Sequence, residues 1–214
     1  MDDLTWLAGR TIAFAADAPL AAAAELPQPA PSAVVADPTR VQAYGSRVPD
    51  GVAVIAVAGY PTGRHHTLVK AAEARLALQS GADEVWVCVD SFVSDENALL
   101  ADLVAMRDAC PAPARMGLLL PEAASASAAQ FAASGEAAST AAVGSTSATT
   151  SSAGADALVL ANLAAKAGYD RLIVGAAGAE QQHEWPLETV ALVPGASTED
   201  VIAQLDAGAS YVAL

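Results

Sequence analysis

The stretch Val52–Asp90 reads VAVIAVAGYPTGRHHTLVKAAEARLALQSGADEVWVCVD, and its reading decides the fold. It opens on a short apolar run, Val52–Ala58, rich in β-branched side chains that suit a buried strand. A glycine-containing turn follows. Arg64–Ser80 then has a helical pattern in which Leu68, Val69, Ala72 and Leu76 share one face, with Gly81 as a C-terminal stop. A second apolar run, Glu84–Asp90, completes the unit. Strand, helix and strand in this order define a crossover between parallel strands.

The same alternation extends outward in both directions. Further strand candidates are Thr11–Ala15, Ala33–Asp37, Arg115–Leu120, Arg171–Gly175, Thr189–Val193 and Ser210–Ala213. Eight strands without polar-out alternation predict an α/β closed barrel of the TIM (β/α)8 type. Ser94–Cys110 reads as a helix with Ser94 as cap and Asp95 and Glu96 in its first turn. Leu99, Leu100, Leu103 and Val104 are expected to face inward, and Pro111 follows the end. Leu158–Ala167 and Thr198–Asp206 are further helices. The outer ring is reduced: Pro27, Pro29 and Pro31 oppose a first helix, Pro38–Ser46 allows only a short second one, and none follows the last strand. Uncovered apolar faces favour a homo-oligomer or a covering partner subunit.

The 214 residues suit a single domain, 1–214. Residues 123–155, after the fifth strand, form a low-complexity Ala/Ser/Thr-rich insertion. It reads as a flexible insertion with a marginal helix around Ala123–Ala133, or as a lid over the barrel mouth. A net charge of −14 opposes nucleic acid and anionic membrane as partners. The Met1-Asp2-Asp3 start has no basic segment of a signal peptide, so a cytoplasmic location is expected. Cys88 and Cys110 read as reduced packing residues. His65, His66 and His183 fall in loops, and their spacing is not diagnostic of a metal site. No cofactor is implied.

Three stretches carry a family resemblance. In the first, Gly59-Tyr60-Pro61-x-Gly63 is followed by Lys70, Glu73 and Gly81-Ala82-Asp83-Glu84. The others are LAAKAGYD (Leu163–Asp170) and PGASTED…AGAS (Pro194–Ser210). Through them the chain resembles the deoxyribose-phosphate aldolases, a lyase family, and its actinobacterial members in particular. That resemblance implies a strand-six lysine that forms a Schiff base and a strand-seven lysine that lowers its pKa. It also implies a strand-four aspartate that moves protons, and glycine loops that hold a sugar phosphate.

Carried over position by position, the Schiff-base lysine falls at Ile173, its partner at Ala191, the proton carrier at Trp86 and a strand-one aspartate at Gly9. The phosphate positions fall at Gly195 and Gly208, where Pro194 has no N–H to give. The chain has two lysines, Lys70 and Lys166, both on expected outer helices. The resemblance thus implies the barrel without its aldolase chemistry. Strand alternation puts Trp86 on the inward face with Cys88 and Asp90, and a barrel plugged by Trp86, Ile173 and Ala191 is expected.

Other groups remain candidates. Asp90 and Glu122 lie near strand C-termini, where barrels place acids and bases, though Asp90 also suits a loop cap. Arg171 begins its strand at the opposite face and reads as a rim ion-pair partner; Lys70 and Glu73 read as a surface pair. Three functions are consistent with this: a pseudoenzyme serving as scaffold or interaction module, a divergent lyase or isomerase using Asp90 and Glu122 on a small sugar-phosphate-like substrate, and a small-anion sensor.

Overall fold

Short runs of Val, Ile, Leu and Ala, buried on both faces, become eight strands: β1 (Thr11–Phe14), β2 (Ala33–Ala36), β3 (Ala53–Ala58), β4 (Glu84–Cys88), β5 (Arg115–Leu119), β6 (Arg171–Gly175), β7 (Glu188–Leu192) and β8 (Tyr211–Ala213). The computed structural model describes residues 3–16, 18, 26–134, 153–180 and 185–214. Each strand pairs in parallel with the next, and β8 returns to β1 to close the barrel. This is the expected TIM-type architecture.

Alternation along each strand sorts side chains into two layers. Ile12, Val35, Ile55, Val57, Trp86, Cys88, Leu119, Ile173, Val190, Leu192 and Ala213 form the interior cluster. Val85, Val87, Leu118, Leu172, Val174 and Ala191 face the surrounding helices instead.

The helices are α1 (Asp3–Ala8), α2 (Val41–Gly45), α3 (Thr67–Gln79), α4 (Glu96–Ala109), α5 (Pro121–Ser134), α6 (Ala153–Lys166), α7 (Ala176–Glu180) and α8 (Thr198–Asp206). The sequence reading did not anticipate α1 and α7. The second connection is short, as expected: a 3-10 turn at Pro38–Arg40 leads into α2. In the first, residues 19–25 lie outside the described residues. Ser197 and Asp200 cap α8 reciprocally. Asp95, not Ser94, caps α4 by accepting a hydrogen bond from Asn97 N. Leu99 and Leu103 of α4 are buried, whereas Val104 is exposed.

The α3 helix is turned the opposite way from its sequence reading. Its buried residues are Lys70, Ala74 and Ala77, spaced i, i+4, i+7, while Leu68, Val69 and Leu76 are 71%, 56% and 60% exposed. Alanines permit close approach to the barrel, and Lys70 is drawn in by a carboxylate on α4. The Lys70 Nζ donates to Asp102 Oδ2 at 2.6 Å and to the Cys88 carbonyl at 3.2 Å. The expected Lys70–Glu73 pair does not form: Glu73 Oε2 instead accepts from Gly59 N at 2.7 Å. Gly59 is required here, because a Cβ would lie 2.7 Å from the Lys70 side chain.

Candidate functional site

Barrel chemistry takes place at the C-terminal ends of the strands, around the axis. Here the axis is filled. Trp86 on β4 is fully buried and packs with Phe14 of β1 at 6.5 Å between ring centroids; Phe14 in turn meets Tyr60 at 5.7 Å. Room for the indole comes from Gly117 on β5, where an added Cβ would lie 2.6 Å from Trp86 Cδ1 and 2.7 Å from Ile173 Cδ1. An isolated glycine within a strand signals such close approach. Cys88, one inward position above Trp86, is a free thiol that burial pushes up to about 12.

The expected inward plug is therefore present at Trp86 and Ile173, but Ala191 is not part of it. Ala191 lies in the outer layer beneath the helices, and the inward positions of β7 are Val190 and Leu192. The one-residue offset follows from the period of two along a strand.

Below Trp86, at the N-terminal end, lies a polar ladder that the sequence reading missed. Trp86 Nε1 donates to Glu84 Oε1 at 2.7 Å, and Arg171 Nη1 reaches Glu84 Oε2 at 2.9 Å. Arg171 Nε and Arg115 Nη2 both donate to Glu188 Oε2 at 2.7 Å. The Arg171 guanidinium also lies 4.6 Å from the Tyr211 ring centroid. Arg171 is thus an ion-pair partner, as expected, but a buried one. Burial raises the Glu84 carboxyl pKa, against the opposing pull of Arg171 and the indole hydrogen bond. At Glu188 desolvation also acts upward, but the two arginines outweigh it and hold that carboxyl low. Its position at the stability face makes this ladder structural.

The first part of the low-complexity segment roofs the barrel. In α5, Ala123 and Ala124 are buried in the interior cluster, and Gln130 Nε2 donates to the Pro194 carbonyl at 2.8 Å. Gly195 has a φ of +71°, and a Cβ there would come 2.9 Å from the same Gln130 nitrogen. The loop expected to offer phosphate N–H groups is thus covered by α5. Gly208 lies in the turn between α8 and β8, at the N-terminal end of the barrel, while Gly195 follows β7 at the C-terminal end. The two glycines cannot share one ligand. Residues 135–152 of the expected insertion lie outside the described residues.

Off the axis, Asp90 and Glu122 line one cleft of about 280 Å³ with Ser91, Ser94, Glu96 and Leu160. Asp90 Oδ1 accepts from Phe92 N at 3.0 Å and lies 3.7 Å from Arg64 Nε, so it does serve as a loop cap. Glu122 stands in the first turn of α5, and burial raises its carboxyl pKa. His66 caps α3, its Nδ1 accepting from Leu68 N at 3.2 Å; His183 lies outside the described residues. Among the described residues no three His, Cys, Asp or Glu side chains are grouped to hold a metal ion. Nor is any helix among them long and apolar enough to cross a membrane.

The closed parallel sheet and its surrounding helices define a (β/α)8 barrel. No family model matches the chain. It is 51% identical to the deoxyribose-phosphate aldolase of Corynebacterium glutamicum over 73 residues, 33% of each chain. With the enzyme of Corynebacterium diphtheriae the identity is 33% over 104 residues, 43% of this chain and 48% of that one. The chain thus spans less than half the length of these curated relatives. The deoxyribose phosphate aldolase of Aeropyrum pernix, described as a tetramer, superposes with a TM-score of 0.72 at 16% identity, over 100% of this chain and 88% of that one. A putative deoxyribose-phosphate aldolase from Coccidioides immitis gives 0.68 at 17%, over 99% and 83%. At such identities these two likenesses speak for the fold alone. The local sequence matches make this chain similar to the deoxyribose-phosphate aldolases over one part of its length.

Proposed function

We propose that the chain is a deoxyribose-phosphate aldolase-like barrel without aldolase activity, a cytoplasmic pseudoenzyme that acts through its surface as a homo-oligomer or partner subunit. The observation that carries this reading is the apolar axis: β6 and β7 present Ile173, Val190 and Leu192 there, in one interior cluster with Trp86 of β4. A Schiff base needs an amine lone pair directed at a carbonyl carbon. The lysine beside β4, Lys70, is held by Asp102 and points to a backbone carbonyl between the barrel and its helices. An ammonium so paired offers no lone pair. Incubation with deoxyribose 5-phosphate and measurement of aldehyde release tests the reading. Release above background is not expected, and release that scales with enzyme concentration overturns it.

A second reading is favoured by one observation, the shared cleft of Asp90 and Glu122. A carboxyl with a raised pKa in one cleft with a second carboxylate suits acid/base chemistry, as in a lyase or isomerase acting on a small sugar-phosphate-like substrate. In that case a sugar phosphate raises the melting temperature of the wild type, and Glu122→Gln removes the rise.

A further inference from the structure

We infer that His66 is a pH-operated catch on the loop that enters α3: its imidazole caps the helix while neutral and lets go when protonated. The helices that begin at Pro38, Glu96 and Thr198 are capped by side-chain oxygens of Asp37, Asp95 and Ser197. Those oxygens remain acceptors in neutral and mildly acidic water. At α3 the acceptor is a ring nitrogen, His66 Nδ1, which takes the hydrogen of Leu68 N at 3.2 Å.

That bond requires the neutral ring with its proton on Nε2. A second proton goes to Nδ1 and consumes the lone pair that Leu68 N uses. The next two amides do not depend on the ring, because Val69 N and Lys70 N donate to the His66 carbonyl at 2.8 and 3.2 Å. Leu68 N–H is thus the group that registers the catch.

The surrounding charges favour release. An imidazolium at this place meets the positive end of the helix, with Arg64 and His65 beside it on the loop and Lys70 one turn on. Across a cavity of about 430 Å³ stand Asp90, after β4, and Asp102, on α4. Asp102 is engaged by Lys70 and Thr67 at 2.6 and 2.7 Å, whereas the Arg64 Nε lies 3.7 Å from Asp90. On the other side of α3, the Pro38–Arg40 turn carries Asp37 and Arg40, engaged by Thr39 and the Ala18 carbonyl. The released ring is therefore drawn towards Asp90. Gly63 confines the movement to Arg64–His66: a Cβ there would lie 2.2 Å from the Val89 carbonyl carbon, so the loop is pressed on the chain leaving β4. Acid thus loosens the loop bordering Asp90, whether or not the chain turns over a substrate.

Amide NMR of the full chain, titrated from about pH 8 to about pH 5, tests this across the range in which imidazoles change charge. The Leu68 amide proton is expected to move upfield, with the same midpoint as the His66 ring signals. Its exchange protection, taken against an unstructured peptide at each pH, is expected to fall about fivefold, the worth of a typical cap. Val69 and Lys70 should change less. His65→Asn is expected to leave the response intact, and His66→Asn, whose carboxamide oxygen caps at either pH, to abolish it. A Leu68 amide that does not change, that follows the His65 midpoint, or that responds equally in His66→Asn would overturn the proposal. Should a variant fail to fold, the wild-type midpoints decide.

Discussion

Trp86 Nε1 donates to Glu84 Oε1 at 2.7 Å, so the indole that fills the barrel axis is anchored to the polar ladder beneath it. The anchor lies two residues away on the same strand, on the same inward face. One bulky side chain thus occupies the axis and gives Glu84 a partner opposite Arg171.

Removing that side chain is therefore costly in two ways. Trp86→Ala is expected to destabilise the fold by about 3–5 kcal/mol through the cavity it leaves. Trp86→Phe keeps most of the volume but leaves Glu84 Oε1 without its donor, at about 1–3 kcal/mol. Chemical denaturation of both variants measures the difference. Equal stability of Trp86→Phe and wild type would show that the hydrogen bond contributes nothing net.

Gly117 provides the space. Gly117→Ala puts a methyl group into the indole and Ile173, and a loss of about 1–3 kcal/mol is expected from the overpacking. In the double variant Trp86→Phe with Gly117→Ala part of that loss should be recovered. Additive losses would contradict the packing described.

Lys70 and Asp102 form a pair between α3 and α4 whose lysine is 2% exposed. Lys70→Met is expected to cost about 3–5 kcal/mol, because it leaves Asp102 without its cation. Replacing both, as Lys70→Met with Asp102→Leu, should cost less than the sum of the single changes. A double-mutant cycle measured by denaturation checks the coupling.

Glu122 gives a pH signature. Its folded pKa lies above the ordinary 4.5 because of burial. Its contribution to stability is therefore fully present below that value and is lost as pH rises through the raised one. Glu122→Gln, which cannot ionise, is expected to raise the melting temperature at pH 7 and to give no gain near pH 4. An equal gain at both values would place the cause elsewhere.

All eight strands were legible because short β-branched runs between turn residues have few alternatives, and the observed limits differ by one or two residues at most. Closure was legible from the absence of polar-out alternation. The orientation of α3 was not. Its larger apolar residues face outward because Lys70, Ala74 and Ala77 form an equally regular stripe, one that only Asp102 on the neighbouring helix singles out. Ala191 was misplaced for a simpler reason: an offset of one residue in a strand exchanges interior for exterior. The roof formed by α5 was hidden by composition, since alanines that look featureless in sequence are the side chains that fit over a filled barrel mouth.

The proposed loss of aldolase activity rests on the apolar residues at the Schiff-base positions, and borohydride trapping tests it most directly. The chain would be incubated with deoxyribose 5-phosphate and sodium borohydride, and its intact mass measured. The expected mass is that of the unmodified protein. A stable adduct on any lysine, Lys70 included, would contradict the account.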